Sequence, residues 1–279
     1  MLKRIRTYAR RCIGYIISGQ PKIEIKADIS YLSPNNLLKG KNILITGGGR
    51  GLGYAMAKKF TDEGAKVVIV GRNADQLEKA ANEIGCSWIQ FDVTDFENHG
   101  KLISIANQKL GGHLNTLINN AGISLHEGEH SNVTLEQFDK QISCNLKGGY
   151  FLSQSFIKLT SNQPERNILF VSSERGFQSD DLPYGLTKAA VNSFVRGLAF
   201  RYVKKGIRVN AIAPGVTSSD MTNVAMDGNL YYPSNSNDRA YLPEEVAEVA
   251  TFLVSDASKC VSGQIICCNE AKTVNAHWK

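Results

Sequence analysis

Long apolar runs are missing from this chain of 279 residues; none approaches the ~18 residues that a membrane-spanning helix needs. The stretch from Cys12 to Ser18 is short even for a signal-peptide core. The six cysteines contain no C-x-x-C pair and no disulfide framework, which fits a reducing, intracellular compartment. Internal repeats and low-complexity tracts are absent, and 42% apolar with 21% charged residues excludes disorder and collagen-like repetition. Net charge outside the N-terminus is also missing. The chain carries +6, and residues 1–26 account for all of it through Lys3, Arg4, Arg6, Arg10, Arg11, Lys22 and Lys26 against Glu24. A body without net charge lacks the electrostatic footprint of nucleic-acid binding, so no nucleic-acid partner is expected.

What is present is alternation. From Asn42 onward, seven short apolar runs are separated by helix-length segments: Asn42–Thr46, Lys66–Val70, Ser87–Phe91, Thr116–Ile118, Asn167–Val171, Ile207–Ala211 and Gln264–Cys267. Near-continuous apolar strands alternating with helices specify an α/β fold, a doubly wound parallel sheet of about seven strands covered on both faces. One domain is expected over residues 38–279, preceded by an extension and linker over residues 1–37. Leu2, Ile5, Ala9, Ile13 and Ile16 fall on one side of a helical wheel with the cations mostly elsewhere. Such a basic amphipathic segment fits contact with an anionic membrane surface through residues 1–20, or packing on a partner subunit; an organelle presequence ranks third. The location expected is cytoplasmic, peripheral at a membrane if that segment docks on one. A second irregular stretch, Asp227 to Arg239, reads as a mobile flap.

The first strand runs into Thr46-Gly47-Gly48-Gly49-Arg50-Gly51-Leu52-Gly53 and then into a helical pattern over Tyr54–Glu63. A strand feeding a glycine turn into a helix offers unpaired N–H groups and a positive helix end to an anion such as a pyrophosphate. Four more landmarks follow in order: Asp92-Val93, Asn119-Asn120-Ala121-Gly122, Tyr184-x-x-x-Lys188 and Pro214-Gly215. Together they resemble the short-chain dehydrogenase/reductase family from about Leu38 to Asn269. That resemblance implies a Rossmann-type fold, an NAD(P) cofactor, oxidoreductase chemistry on CH–OH or C=O groups, and a homo-oligomer, dimer or tetramer.

Cofactor choice follows from charge. The second strand ends Val70-Gly71-Arg72-Asn73 with no acid at its tip, and Arg50 and Arg72 can flank a 2′-phosphate, so NADP(H) is favoured over NAD(H). Tyr-x-x-x-Lys occurs twice. Tyr54 to Lys58 lies in the first helix, whereas Tyr184 and Lys188 open a helix at the carboxyl edge, where such sheets bind ligands. At i and i+4 the two side chains share a face, and a cation beside a phenol of pKa ~10 favours the phenolate, which suits Tyr184 to exchange a proton with a substrate oxygen.

The resemblance places a substrate-oxygen donor at Ser173 in Val171-Ser172-Ser173-Glu174-Arg175-Gly176, with Ser172 as an alternative, and a relay-supporting asparagine at Asn145. It also places Asn119, Ala121 and Gly122 beside the cofactor ribose, and Pro214, Gly215, Thr217 and Ser219 beside the nicotinamide carboxamide. Two departures stand out. Ser173 and Tyr184 are about two residues closer than is usual in the family, and Asn269-Glu270-Ala271 replaces its Asp-Gly-Gly or Asn-Gly-Gly.

His126-Glu127-Gly128-Glu129-His130 matches H-E-x-x-H, but Gly128 and Ser131-Asn132 argue for a loop, so no metal is expected. The leading expectation is an NADPH-dependent reductase, most similar to 3-oxoacyl-carrier-protein reductases, that transfers a hydride to a ketone, an acyl-thioester or other small-molecule substrate. Beside it stand a dehydrogenase or reductase of a sugar, polyol or other secondary alcohol, and a non-catalytic NADP-sensing protein.

Overall fold

The computed structural model describes Glu24 and residues 36–219, 221, 222, 224 and 229–274. The basic amphipathic segment and most of the linker lie outside the described residues. Seven strands form one sheet in the order β3-β2-β1-β4-β5-β6-β7, every neighbouring pair parallel. They are β1 (Asn42–Thr46), β2 (Lys66–Gly71), β3 (Ser87–Gln90), β4 (Thr116–Asn119), β5 (Arg166–Val171), β6 (Ile207–Pro214) and β7 (Ile265–Cys268). The main helices are α1 (Gly51–Asp62), α2 (Ala74–Ile84), α3 (His99–Lys109), α4 (Leu135–Gln141), α5 (Gly149–Leu159), α6 (Pro183–Tyr202) and α7 (Pro243–Val254).

Strand periodicity sends alternate side chains to opposite faces. Ile43 and Ile45 of β1 enter a core with Met56 and Phe60 of α1 and Leu253 of α7; Leu44, between them, enters the other with Leu102 of α3 and Phe156 of α5. The same split divides Val67 and Ile69 from Val68 and Val70 on β2. Double burial of the five inner strands, β1, β2, β4, β5 and β6, is why their runs read as continuous rather than alternating. Leu38 is fully buried in the first of these cores.

Helix α1 begins at Gly51, three residues before the position that the sequence pattern marks. Glycine's poor helix propensity hides the start, and tertiary packing overrides it. Residues 126–129 are not helical and His126 has φ 54°, so the H-E-x-x-H stretch lacks the helix that would put both imidazoles on one face. The described part of the expected flap, Asn229–Arg239, is irregular yet tied down. Leu230 is buried, Tyr231 bridges Arg239, and Asn235 donates to the carbonyls of Val216 and Arg239.

Candidate active site

The strand order reverses direction between β1 and β4, and the crevice outside their carboxyl ends is where open α/β sheets bind ligands. Gly47 has φ 67° and Gly51 φ 53°, conformations that favour glycine. A Cβ on Gly53 would strike the carbonyl oxygen of Gly47, so helix and turn meet without intervening side chains. Arg50 stands exposed and extended at the helix N-cap, with Gly49 and Leu52 on either side of it in the loop and first turn. The buried Thr46 hydroxyl donates to Ile118 O at 3.2 Å and accepts from Asn120 N and Ala121 N, each at 3.1 Å. Asn120 returns the tie, donating to Thr46 O at 2.9 Å and Gly47 O at 3.0 Å. The glycine turn and the Asn-Asn-Ala-Gly turn are therefore one hydrogen-bonded unit.

Arg72 is exposed just past β2, and Asn73 is occupied as the N-cap of α2, accepting from Gln76 N at 3.0 Å. Asp92 Oδ1 accepts from the N–H and hydroxyl of Thr94, and Val93 O faces the buried His99 imidazole at 2.9 Å. Asn119 sends its amide to Ser153 on α5 at 3.0 Å. Across the cleft, Gly215 N donates to Cys268 O, Thr217 donates to Gly215 O at 3.0 Å, and Ser219 donates to Thr217 O at 3.3 Å. A Cβ on Gly51 would lie 3.8 Å from Ser219 Cβ, so the glycine turn and this segment face one another.

The polar group gathers at Gly122. A Cβ there would lie 3.4 Å from Asn145 Oδ1 and 3.6 Å from Lys188 Nζ. Lys188 is buried, donates to Val171 O at 2.9 Å and has its ammonium 5.5 Å from the Tyr184 ring centroid. Asn145 lies in a π-helical segment, Ile142–Gly148, a distortion common at functional sites. Its amide both accepts from Ile123 N and donates to Ile123 O at 2.8 Å. Asn145 Nδ2 also reaches Thr187 Oγ1 at 3.4 Å, and Thr187 donates to Tyr184 O at 2.7 Å. Burial pushes the Cys144 thiol up, aided by the Asp92 carboxylate, and the charges of Arg72 and Lys188 pull against it without reversing the shift.

Ser172 is spent on structure: its hydroxyl donates to Asn192 Oδ1 at 2.6 Å. Ser173 instead caps the turn Glu174–Phe177, accepting from Arg175 N at 3.2 Å. That turn presses on α6, where Asn192 donates to Gly176 O at 3.1 Å. The short serine-to-tyrosine connection is drawn tight by Arg175 Nε on Asp180 Oδ2 at 2.5 Å. Burial raises the Asp180 carboxyl, but the Arg175 and Leu182 hydrogen bonds outweigh it and leave the group below the usual carboxylate range. Gly185 lies where a Cβ would strike Asp180, so its bare backbone lets the loop close.

A family model described as enoyl-(acyl carrier protein) reductase matches residues 47–270. A tropinone reductase homolog of Arabidopsis thaliana is 33% identical over 252 residues, spanning 85% of this chain and 93% of its own. The chain belongs to the short-chain dehydrogenase/reductase family. An uncharacterized oxidoreductase of Staphylococcus aureus is 32% identical over 225 residues, covering 78% of this chain and 93% of that protein. A crystal structure from Sinorhizobium meliloti, described as a short-chain alcohol dehydrogenase, superposes with a TM-score of 0.75 at 27% identity over 84% of this chain and 96% of that one. This short-chain enzyme is accordingly an NAD(P)-dependent oxidoreductase.

Two contributors to its site escape a sequence reading. Asn120 stands inside a motif yet acts on a turn 73 residues away, and the hydrogen bonds that show it are tertiary. Glu174 is a charged residue between an apolar strand and a helix, a signal of burial with a partner that names no partner.

Proposed function

We propose that the enzyme is an NADPH-dependent reductase of a ketone, a 3-oxoacyl thioester or a comparable small carbonyl compound. The convergence of Asn145, Lys188 and the Tyr184 helix on Gly122 carries this reading, with the Ser173 turn packed against the same helix. Bound NADPH supplies the hydride. Gly47, Gly51 and Gly53 with the α1 N-terminus suit its pyrophosphate, and the absence of an acid after β2, with Arg50 and Arg72 exposed, suits a 2′-phosphate. Asp92, Val93, Ala121 and the 214–219 segment complete the cleft.

In this reading Ser173 donates a hydrogen bond to the carbonyl oxygen and stabilises the negative charge that develops there. Tyr184 gives its phenolic proton to that oxygen, and the Lys188 ammonium stabilises the oxygen left behind. Asn145 fixes the wall of the site by locking Ile123 to the π segment. A proton-donating pair of this kind is superfluous in a protein that only senses NADP. The Arabidopsis relative, named for a ketone reductase, supports a ketone substrate.

The test is NADPH oxidation against a panel of 3-oxoacyl thioesters, keto-sugars and simple ketones. At least one should be reduced, and Tyr184→Phe should lower its turnover by about 100-fold or more with NADPH affinity retained. Unchanged turnover in that variant refutes the assignment, and a panel without any turnover favours the sensor.

Assembly belongs to the same proposal. A groove lined by Leu146, Tyr150, Phe151, Ala190 and Phe194 runs between α5 and α6, with Leu186 and Phe200 also exposed on α6. We assign it to a second copy of this chain in an isologous homo-oligomer. Tyr150→Glu with Phe151→Glu should shift the sedimenting species to monomer.

A further inference from the structure

Glu174 follows Ser173 directly, and only 5% of it is exposed, a costly place for a carboxylate without partners. Its partners come from the C-terminal segment. Lys272 Nζ donates to Oε1 at 2.8 Å, and Asn269 Nδ2 donates to Oε2 at 3.3 Å. The same ammonium donates to Asn235 Oδ1 at 3.2 Å. Asn235 is itself buried and donates to Val216 O and Arg239 O. One lysine thus ties the turn that begins at Ser173 to the loop descending toward α7. Gly215 backs the arrangement: a Cβ there would stand 3.2 Å from Glu174 Oε2 and 3.1 Å from Asn269 Cβ.

Two features make this more than a surface ion pair. Both side chains are shielded, so the hydrogen bonds are electrostatically stronger than in water and their geometry is held. Ser173 Oγ accepts from Arg175 N, so the place of that hydroxyl follows the backbone of residues 174–175, which the Glu174 side chain anchors.

We propose that Glu174 and Lys272 form a positioning pair: the C-terminal segment, through Lys272, sets the place of the Ser173 hydroxyl and couples it to the loop over residues 229–242. The inference rests on the reading of Ser173 as the donor to the substrate oxygen. It assigns the segment after β7, where the family's glycine pair is replaced, a part in the site.

The test has two arms on the full-length protein. In hydrogen–deuterium exchange, Lys272→Met should accelerate exchange at residues 172–178 and 229–235 together, and Glu174→Gln at 172–178. The double variant, which leaves neither charge unpaired, should do the same and keeps the comparison readable if a single variant loses stability. In kinetics with NADPH and acetoacetyl-N-acetylcysteamine, each variant should lower kcat about tenfold with NADPH affinity retained, and should lower it no further in a Ser173→Ala background.

Unchanged exchange at 172–178 in all three variants overturns the pairing. So does a Glu174→Gln effect that persists in full without Ser173, since that is a general structural loss. A Ser173→Ala variant with wild-type kcat refutes the reading of Ser173. A wild-type protein that leaves this thioester unreduced counts against the thioester reading and leaves the exchange arm to decide the pairing.

Discussion

Replacing Ala271 by glycine is expected to stabilise the protein. Ala271 has φ 67° and Glu270 φ 46°, two consecutive non-glycine residues in the left-handed region. Crowding of Cβ there costs ~1–2 kcal/mol per residue, and removing it recovers that energy. The greater freedom of glycine in the unfolded chain takes back ~0.4–1 kcal/mol. Ala271 is exposed, so no buried contact is lost. The balance is a gain of about 0–1.6 kcal/mol, centred near 0.8 kcal/mol, or roughly 2–3 °C in Tm at that centre for a domain of this size.

Glu270→Gly should gain less, because its carboxylate lies 3.9 Å from Arg239, a pair worth ~0–1 kcal/mol at an exposed site. Ala271→Val should lose stability, since branching at Cβ worsens the same crowding. Thermal melts with urea titrations at constant m measure the order Gly above Ala above Val. A lower Tm for Ala271→Gly, or a valine tolerated equally, shows that the turn does not carry this strain.

Arg50→Ala and Arg72→Ala should each weaken NADPH roughly 10- to 100-fold while leaving NADH nearly unchanged; equal losses for both nucleotides in calorimetry would discard the 2′-phosphate role. Lys59→Met should cost about 1–3 kcal/mol, because it takes an ammonium from 2.9 Å of the fully buried Glu63, which still accepts from Leu37 N. Adding Glu63→Gln should restore part of that loss in a urea melt. Acid should unfold the protein partly through Asp180 and Glu245, whose carboxyls are held low by Arg175 and Arg239 after burial is offset. A depressed folded pKa gives stability that is complete above the unfolded value of ~4 and is lost as pH falls through the folded one, so Asp180→Asn should flatten the decline below pH ~4. A decline of unchanged slope would remove Asp180 from the account.

The chain's departures from its family's pattern acquire physical reasons together. The short connection between Ser173 and Tyr184 closes because Arg175 clasps Asp180 over a glycine. The turn after β7 keeps a left-handed backbone without glycine, and the residue that follows it, Lys272, reaches Glu174. Strain of this kind persists only where the surroundings over-determine the conformation, and the hydrogen bonds of Asn269 and Lys272 do so here.

By itself, the sequence determined a doubly wound parallel sheet of about seven strands and the glycine turn after the first of them, because burial on both faces demands continuous apolar runs and a turn of positive φ favours glycine. β1 matches its expected limits, five strands differ by one to three residues at one end, and β7 is shifted by one residue at both. The start of α1 was not legible, since Gly51 and Gly53 have weak helical preference, and Gly53 is held there by packing on Gly47 and Asn120. Ser173 is preferred to Ser172 on the sequence by the glycine three residues after it, and in the fold the hydrogen bond from Ser172 to Asn192 commits the first serine to structure. Tertiary structure alone decided which distant groups pair, Thr46 with Ala121, Asn145 with Ile123, Glu174 with Lys272. A hydrogen bond depends on distance and direction in space, and residues 98 positions apart acquire these only when the sheet has brought its two ends together.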